Sequence, residues 1–205
     1  MLNLEKTLEL LKQYDIPFVQ TRKVKNLSEV FSFVNKYRYP VVLKIFSQKI
    51  LHKTDKGGVY INLKTKEETE NAFLKLKNKF PSADILIQKH IPGIYLIAGA
   101  KNDKTFGPTI LFGLGGIFVE ILKSTTIRLA PVSIAEIKKL IKKNAGYPII
   151  SGARGQKSIN FKKLERIMFN LSKMISSEKN IREIDINPLV ANDKEIIAVD
   201  VKIIV

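Results

Sequence analysis

Two histidines occur among the 205 residues, and one of them, His52, has neighbours suited to moving a phosphoryl group. The run His52-Lys53-Thr54-Asp55-Lys56-Gly57-Gly58 combines cations, a hydroxyl and two residues that tolerate unusual backbone angles. Positive charge and backbone amides free to turn inward are what a bound phosphate needs. An imidazole nitrogen is nucleophilic near neutral pH, so it can accept a phosphoryl group and release it again. The same letters also read as a solvated basic hairpin, because charge runs are often simply exposed faces.

A second set of ligand atoms closes the chain. IREIDINPLVANDKEIIAVDVKIIV reads as two strands joined by a polar turn around Asn192-Asp193. Strand side chains alternate, so Asp185 and Asn187 share a face, and the turn brings Asp200 opposite Asn187 to within a residue. Oxygen ligands on adjacent strands suit magnesium held jointly with a nucleotide. A carboxylate inside an apolar run such as Asp200 is usually paired or metal-bound. An exposed hairpin with polar faces would show the same pattern.

These residues need elements to position them. Pro40 opens an apolar run, Val41 to Phe46, and Val59-Tyr60-Ile61 forms another; both read as strands. Their connector, SQKILHKTDKGG, is too long for a tight turn. Within the first strand, Lys44 falls on the face of Val42 and Phe46. Leu4, Leu8 and Leu11 line an N-terminal helix, and Phe18 to Thr21 reads as a short strand. Asn26 with Glu29, Thr65 with Glu68, and Ser133 with Glu136 are helix-start signatures. Ile85–Ile87, Tyr95–Ala100 and Thr109–Phe112 read as strands, Gly146-Tyr147-Pro148 as a turn, and Phe161–Ser177 as the longest helix. Strand and helix alternate, so the class is mixed α/β. Gly113-Leu114-Gly115-Gly116 follows a strand, yet its spacing and the strand-like Ile117-Phe118-Val119-Glu120 after it exclude a dinucleotide fingerprint. Those glycines instead admit close backbone approach.

Composition narrows the function classes. An apolar content of 45% with 26% charged residues describes a folded globular chain. The absence of cysteine excludes disulfides and thiolate metal sites. MLNLEKTLELLKQY lacks the apolar core of a signal peptide and no run could cross a bilayer, so a cytoplasmic location with no membrane partner is expected. The net charge of +16 raises nucleic-acid binding. Lysines are spread along the whole chain, however, and arginine, the better phosphate and base reader, is scarce. A lysine-rich coding bias or a hot habitat gives the same balance, so nucleic-acid binding is a minor alternative and no such partner is expected.

Four segments, LKIFSQKILHKTDKGGVYINL, FGPTILFGLGGIFVEILK, GARGQKSIN and EIDINPLVANDKEIIAVD, resemble in order the small subunit of ADP-forming acetyl-CoA (acyl-CoA) synthetases, relatives of succinyl-CoA synthetase. The resemblance implies an ATP-grasp fold of class α/β (α+β), with residues 15–90 as one subdomain, 1–14 and 91–205 as the other, and the nucleotide between them. It implies an acid–CoA ligase that converts acyl-CoA, ADP and phosphate reversibly into acid, CoA and ATP. A large CoA-binding alpha subunit is implied as partner, two copies of each chain, with Mg2+ as cofactor and ATP/ADP as substrate. Carried over by position, Lys44 contacts nucleotide phosphates and His52 is the phosphorylated relay. Lys53, Thr54, Asp55, Gly57 and Gly58 complete its loop, and Gln88, Lys89, His90 and Tyr95 fall at the nucleotide. Asn187 and Asp200 are the magnesium ligands, with Asp185 beside them. Glu120 orients a histidine arriving from the partner, and Arg154 lies in an anion-binding GARG loop. Tyr95 stands where the family usually has glutamate, and Ser124 where it has aspartate. These two departures motivate a non-catalytic scaffold or sensor as the alternative.

Overall fold

The computed structural model describes residues 1–47, 56–116, 125–155 and 157–205, leaving out the side chain of Arg154. Backbone contacts divide the chain into two compact units, Val19–Ile91 and Met1–Phe18 with Pro92–Val205. The crossings thus fall slightly beyond the residues 15 and 90 expected from sequence. The reason is packing: Ile16 is buried in the larger unit's core and Phe18 bridges Ala198.

The smaller unit is built from β1 (Thr21–Val24), α1 (Leu27–Tyr37), β2 (Val41–Phe46), β3 (Val59–Leu63), α2 (Lys66–Lys79) and β4 (Asp84–Lys89). Its antiparallel four-stranded sheet has the order β1-β4-β2-β3. Both helices start where sequence places them. The Asn26 side chain accepts from the Glu29 N–H at 3.0 Å, and Thr65 accepts from the Glu68 N–H at 3.1 Å. Each glutamate reaches back to the backbone amide before the cap, at Lys25 and Lys64 respectively, so the orphan N–H groups of the first turn are satisfied from both sides. One sheet face contributes Val41, Leu43, Ile45, Ile85 and Ile87 to a core completed by Val30, Phe33, Phe73 and Leu76 of the helices. The other face carries Val42, Lys44, Leu86 and Gln88, because successive strand residues point oppositely.

The larger unit takes the chain's N-terminal helix, labelled α3 (Leu4–Gln13). After the smaller unit come β5 (Ile94–Asp103), β6 (Gly107–Leu114), β7 (Thr125–Leu129), α4 (Ile134–Lys143), the short α5 (Tyr147–Ile150), a single 3-10 turn at Ala153–Gly155, α6 (Phe161–Ser177), β8 (Glu183–Ala191), β9 (Ile196–Ala198) and β10 (Val201–Ile204). The antiparallel sheet runs β10-β8-β5-β6-β7, with β9 also paired to β8. Leu164, Ile167, Met168, Leu171 and Ile175 of α6 are all buried, at the helical spacing that puts them on one face. They meet Leu96, Ala98, Ile110, Phe112 and Ile186 of the sheet in one core.

Three elements differ from the sequence expectation. The first strand is Thr21–Val24 instead of Phe18–Thr21; in TRKV only Val24 is buried, so no alternation marked it. The expected turn at Tyr147 is a four-residue helix with proline in its first turn, a position where the missing N–H costs nothing. Strand β7 was not anticipated, since its alternation exposes Ile127 and Leu129 and half-buries Thr126 and Arg128, inverting the usual inside-outside pattern.

Removing the side chain of Leu171, fully buried beneath the sheet, is expected to destabilise the larger unit by about 3 kcal/mol. Urea unfolding of Leu171→Ala followed by circular dichroism measures this directly.

Candidate active site

The chain's last hairpin has a break at its centre. Strand β8 pairs with β9 through Leu189 and Ala198, and with β10 through Val201 and Ile186. Between these pairings, Val199 and Asp200 leave regular strand geometry, opposite Asn187-Pro188. The Asn187 N–H donates to the Asp200 carbonyl at 3.0 Å and the Val199 N–H to the Pro188 carbonyl at 3.0 Å. The register of the two flanking pairings is therefore continuous, and Asp200 sits directly across from Asn187, which resolves the one-residue uncertainty of the sequence reading. Asp200 occupies this break and not, as the sequence suggested, the interior of one long strand.

Asp185 lies one pleat along, opposite Lys202 on one side and Gly99 on the other. Burial pushes its carboxyl above the usual range, partly offset by the Lys202 ammonium, and the Asp200 and Glu183 carboxylates push it further up. Gly99 adds no side chain beside it; a Cβ there would come within 3.3 Å of the Ile184 carbonyl. Lys202, Glu183 and Gly99 were missed from sequence, and only the strand register reveals them.

Carboxylates that disfavour each other's charge fit a cation, which stabilises both ionised forms. Among the described residues, no group of three or more His, Cys, Asp or Glu could hold a metal by itself. Asp185, Asp200 and the Asn187 amide offer two carboxylates and a carbonyl oxygen, the ligand types that magnesium takes beside water and phosphate.

In the smaller unit, Lys44 and Gln88 are both buried on the sheet face turned from the helices. They are diagonal neighbours, since Val42 pairs with Gln88 and Lys44 with Leu86. The Gln88 amide donates to the Thr21 hydroxyl at 2.8 Å, which fixes its orientation. Lys89, assigned to the nucleotide from sequence, points the other way. It pairs with Val41 on the helix-covered face, and its ammonium donates to the Arg38 and Tyr39 carbonyls at 3.0 and 2.9 Å. A one-residue step along a strand reverses the face, so this lysine anchors backbone at the end of α1 and does not accompany Lys44. The His90 ring is held below the usual histidine range by burial, then by Lys89 and Lys64, and its Nδ1 is buried without a hydrogen-bond partner.

The His52 connector leaves β2 and returns through β3. The Ile45 N–H donates to the Gly58 carbonyl at 2.9 Å, so the two strands are already joined where the connector's described ends begin. Gly57 adopts a φ of +66°, which a side chain would strain. His52, Lys53, Thr54 and Asp55 lie outside the described residues, as do Glu120, Ser124 and the side chain of Arg154. In the larger unit Tyr95 is exposed, and its carbonyl accepts from the Gly115 N–H at 2.7 Å. A Cβ on Gly115 would lie 3.1 Å from that carbonyl, which is the close approach the glycine run implied.

Residues 1–205 match the ATP-grasp domain family. The chain is 41% identical over 204 residues to the acetate–CoA ligase (ADP-forming) I subunit beta of Pyrococcus furiosus, covering 96% of this chain and 88% of that subunit. It belongs to the ATP-grasp family of ADP-forming acyl-CoA synthetase beta subunits. Against the 4-hydroxybutyrate–CoA ligase (ADP-forming) of Nitrosopumilus maritimus, identity is 37% over 194 residues, spanning 91% of this chain but 28% of that enzyme. A solved structure of the dinucleotide-forming acetyl-coenzyme A synthetase 1 of Ca. Korarchaeum cryptofilum, with coenzyme A, Ca-AMPCP and HgCl+, superposes with a TM-score of 0.89 at 34% identity, covering 98% of this chain and 91% of that one. Another structure of that enzyme, with coenzyme A and Mg-AMPPCP, has its phosphohistidine segment pointing towards the nucleotide binding site; its TM-score is 0.85 at 34% identity, over 100% and 92% of the two chains. The mixed α/β sheets of this family member are those of the ATP-grasp fold. Among the described residues no helix is long and apolar enough to cross a membrane.

Two outcomes test this geometry in the family member. Asp200→Asn is expected to weaken magnesium–ADP binding about tenfold, or 1.4 kcal/mol, by calorimetry, with little effect on ADP binding measured without magnesium. His90 takes up its proton less readily folded than unfolded, so the stability it contributes is complete above about pH 6.5 and is lost as the pH falls below that. Unfolding of His90→Gln should accordingly depend less on pH between about 7 and 5 than that of the parent chain.

Proposed function

We propose that this chain is the nucleotide-binding subunit of an ADP-forming acyl-CoA synthetase, catalysing acyl-CoA + ADP + phosphate = acid + CoA + ATP with a separate, larger CoA-binding subunit. The observation that carries this reading is the Asp185–Asn187–Asp200 constellation in a chain of which 96% matches a beta subunit. Support for a separate partner comes from the Pyrococcus furiosus relative, which is named a beta subunit and is covered to 88% by this chain. We assign the assembly two copies of each subunit and a cytoplasmic location.

In this reading His52 carries the phosphoryl group to ADP. The P–N bond breaks and its electron pair returns to the ring nitrogen, while a β-phosphate oxygen of ADP forms the new P–O bond. A proton on the other ring nitrogen leaves the departing imidazole neutral, which makes it a good leaving group. Lys44 holds a phosphate from within the sheet, where the surrounding apolar residues screen its attraction for the phosphate less than water would. Gln88, oriented by Thr21, and His90 border the same nucleotide, whereas Lys89 acts only on backbone. Asp200, Asn187 and Asp185 would hold magnesium, which supplies positive charge against the phosphate oxygens. Lys53, Thr54, Asp55, Gly57 and Gly58 cradle the transferred group, Glu120 orients a histidine of the partner, and Arg154 binds an anion. Tyr95 lies beside the nucleotide.

With the co-expressed large subunit, Mg2+ and ATP, the chain should acquire an acid-labile phosphate at His52, and the pair should form acyl-CoA while the isolated chain does not. His52→Ala should lose the label and lower turnover about a thousandfold or more. Turnover by the chain alone, or full labelling and turnover in His52→Ala, would overturn the proposal.

A further inference from the structure

The larger unit contains a cleft of about 410 Å3 to which the proposed reaction gives no role. Its floor is apolar: Pro17 from the segment after the N-terminal helix, Ile167 of α6, and Ile196 and Ile197 of β9. Its rim is charged, with Lys162, Lys163 and Arg166 on the first turns of α6 facing Asp15 and Glu195. Three cations against two carboxylates leave a single positive charge over a hydrocarbon floor.

That balance selects among ligands. A polyphosphate would meet two carboxylates and would leave the floor uncovered, whereas an apolar body with one negative charge satisfies both surfaces. The rim is also ready to exchange partners. Arg166 Nε meets Asp15 at 3.5 Å with both side chains about three-quarters exposed, at 74% and 75%, a contact that contributes little. The rest of its guanidinium fork suits bidentate pairing with a carboxylate. Lys163 donates to the Lys194 carbonyl at 2.7 Å, which holds its ammonium at the rim with donors to spare. The volume lies within the range of small-molecule sites.

We infer that this cleft binds a small organic monocarboxylate with a compact apolar body, at a site separate from that of the nucleotide. The inference stands independently of the proposed reaction.

The test uses the full chain, calorimetry, and 4-methylpentanoate and phenylacetate as probes, with inorganic phosphate for comparison. Expected is saturable binding of either acid with a Kd of about 1 mM or tighter, each acid displacing the other. Arg166→Ala and Lys162→Ala, both at exposed positions, should each weaken it severalfold, and Ile197→Asp should abolish it, while Asp200→Asn leaves it unchanged. Should Ile197→Asp fail to fold, the two rim variants decide. No saturable binding of either acid, phosphate binding as tightly as the acids, binding that survives both rim variants, or loss of binding in Asp200→Asn would each overturn the inference.

Discussion

The hairpin that closes the chain imposes the constraint on which the larger unit's chemistry depends: a continuous register carried across a break in one strand. Asp200 stands across from Asn187 because the Asn187 N–H donates to its carbonyl, and the strands on either side keep that alignment. The backbone is irregular at this point, yet Asp200 keeps its place in the register. Asp185, one pleat away, inherits the electrostatic consequence. Burial and the Asp200 and Glu183 charges oppose its ionisation, and Lys202 only partly offsets them.

The smaller unit solves a related problem with the opposite sign. Lys44 is buried in a sheet whose other face packs Val41, Leu43, Ile45, Ile85 and Ile87 into the helix-covered core, so its charge acts in surroundings less polarisable than water. Period-two alternation separates the duties of neighbouring residues. Gln88 shares the face of Lys44, while Lys89, next in sequence, turns to the helices and binds the Arg38 and Tyr39 carbonyls. Two adjacent polar residues thus serve different ends, one tied to the Thr21 hydroxyl on the face of Lys44 and one holding the strand to the helix before it.

The net charge of +16 is distributed accordingly. Lysines line helix surfaces, cap carbonyls and flank carboxylates, and several rest over aromatic rings, as Lys66 does over Phe31 and Lys173 over Phe169. Around the cleft near α6 the cations are matched almost one for one by acids. A large total charge therefore coexists with local balance, in keeping with a sequence in which nucleic-acid binding was only a minor alternative.

The sequence by itself determined the helix starts at Asn26, Thr65 and Ser133 and the buried stripe of α6, because each rests on contacts a few residues apart or on a periodicity that one helix carries alone, and it brought Asp200 opposite Asn187 only to within a residue. It also carried the family, through motifs whose order survives without coordinates. Only the tertiary structure decided that Lys89 faces away from Lys44, that Lys202 and Gly99 flank Asp185, that Thr125–Leu129 is a strand, and that Pro17, Arg166 and Ile197 line one cleft. Those facts depend on which strand lies beside which, and on segments far apart in the chain meeting in space. Local propensity does not encode such pairings; they are fixed when the apolar faces of distant elements are buried together.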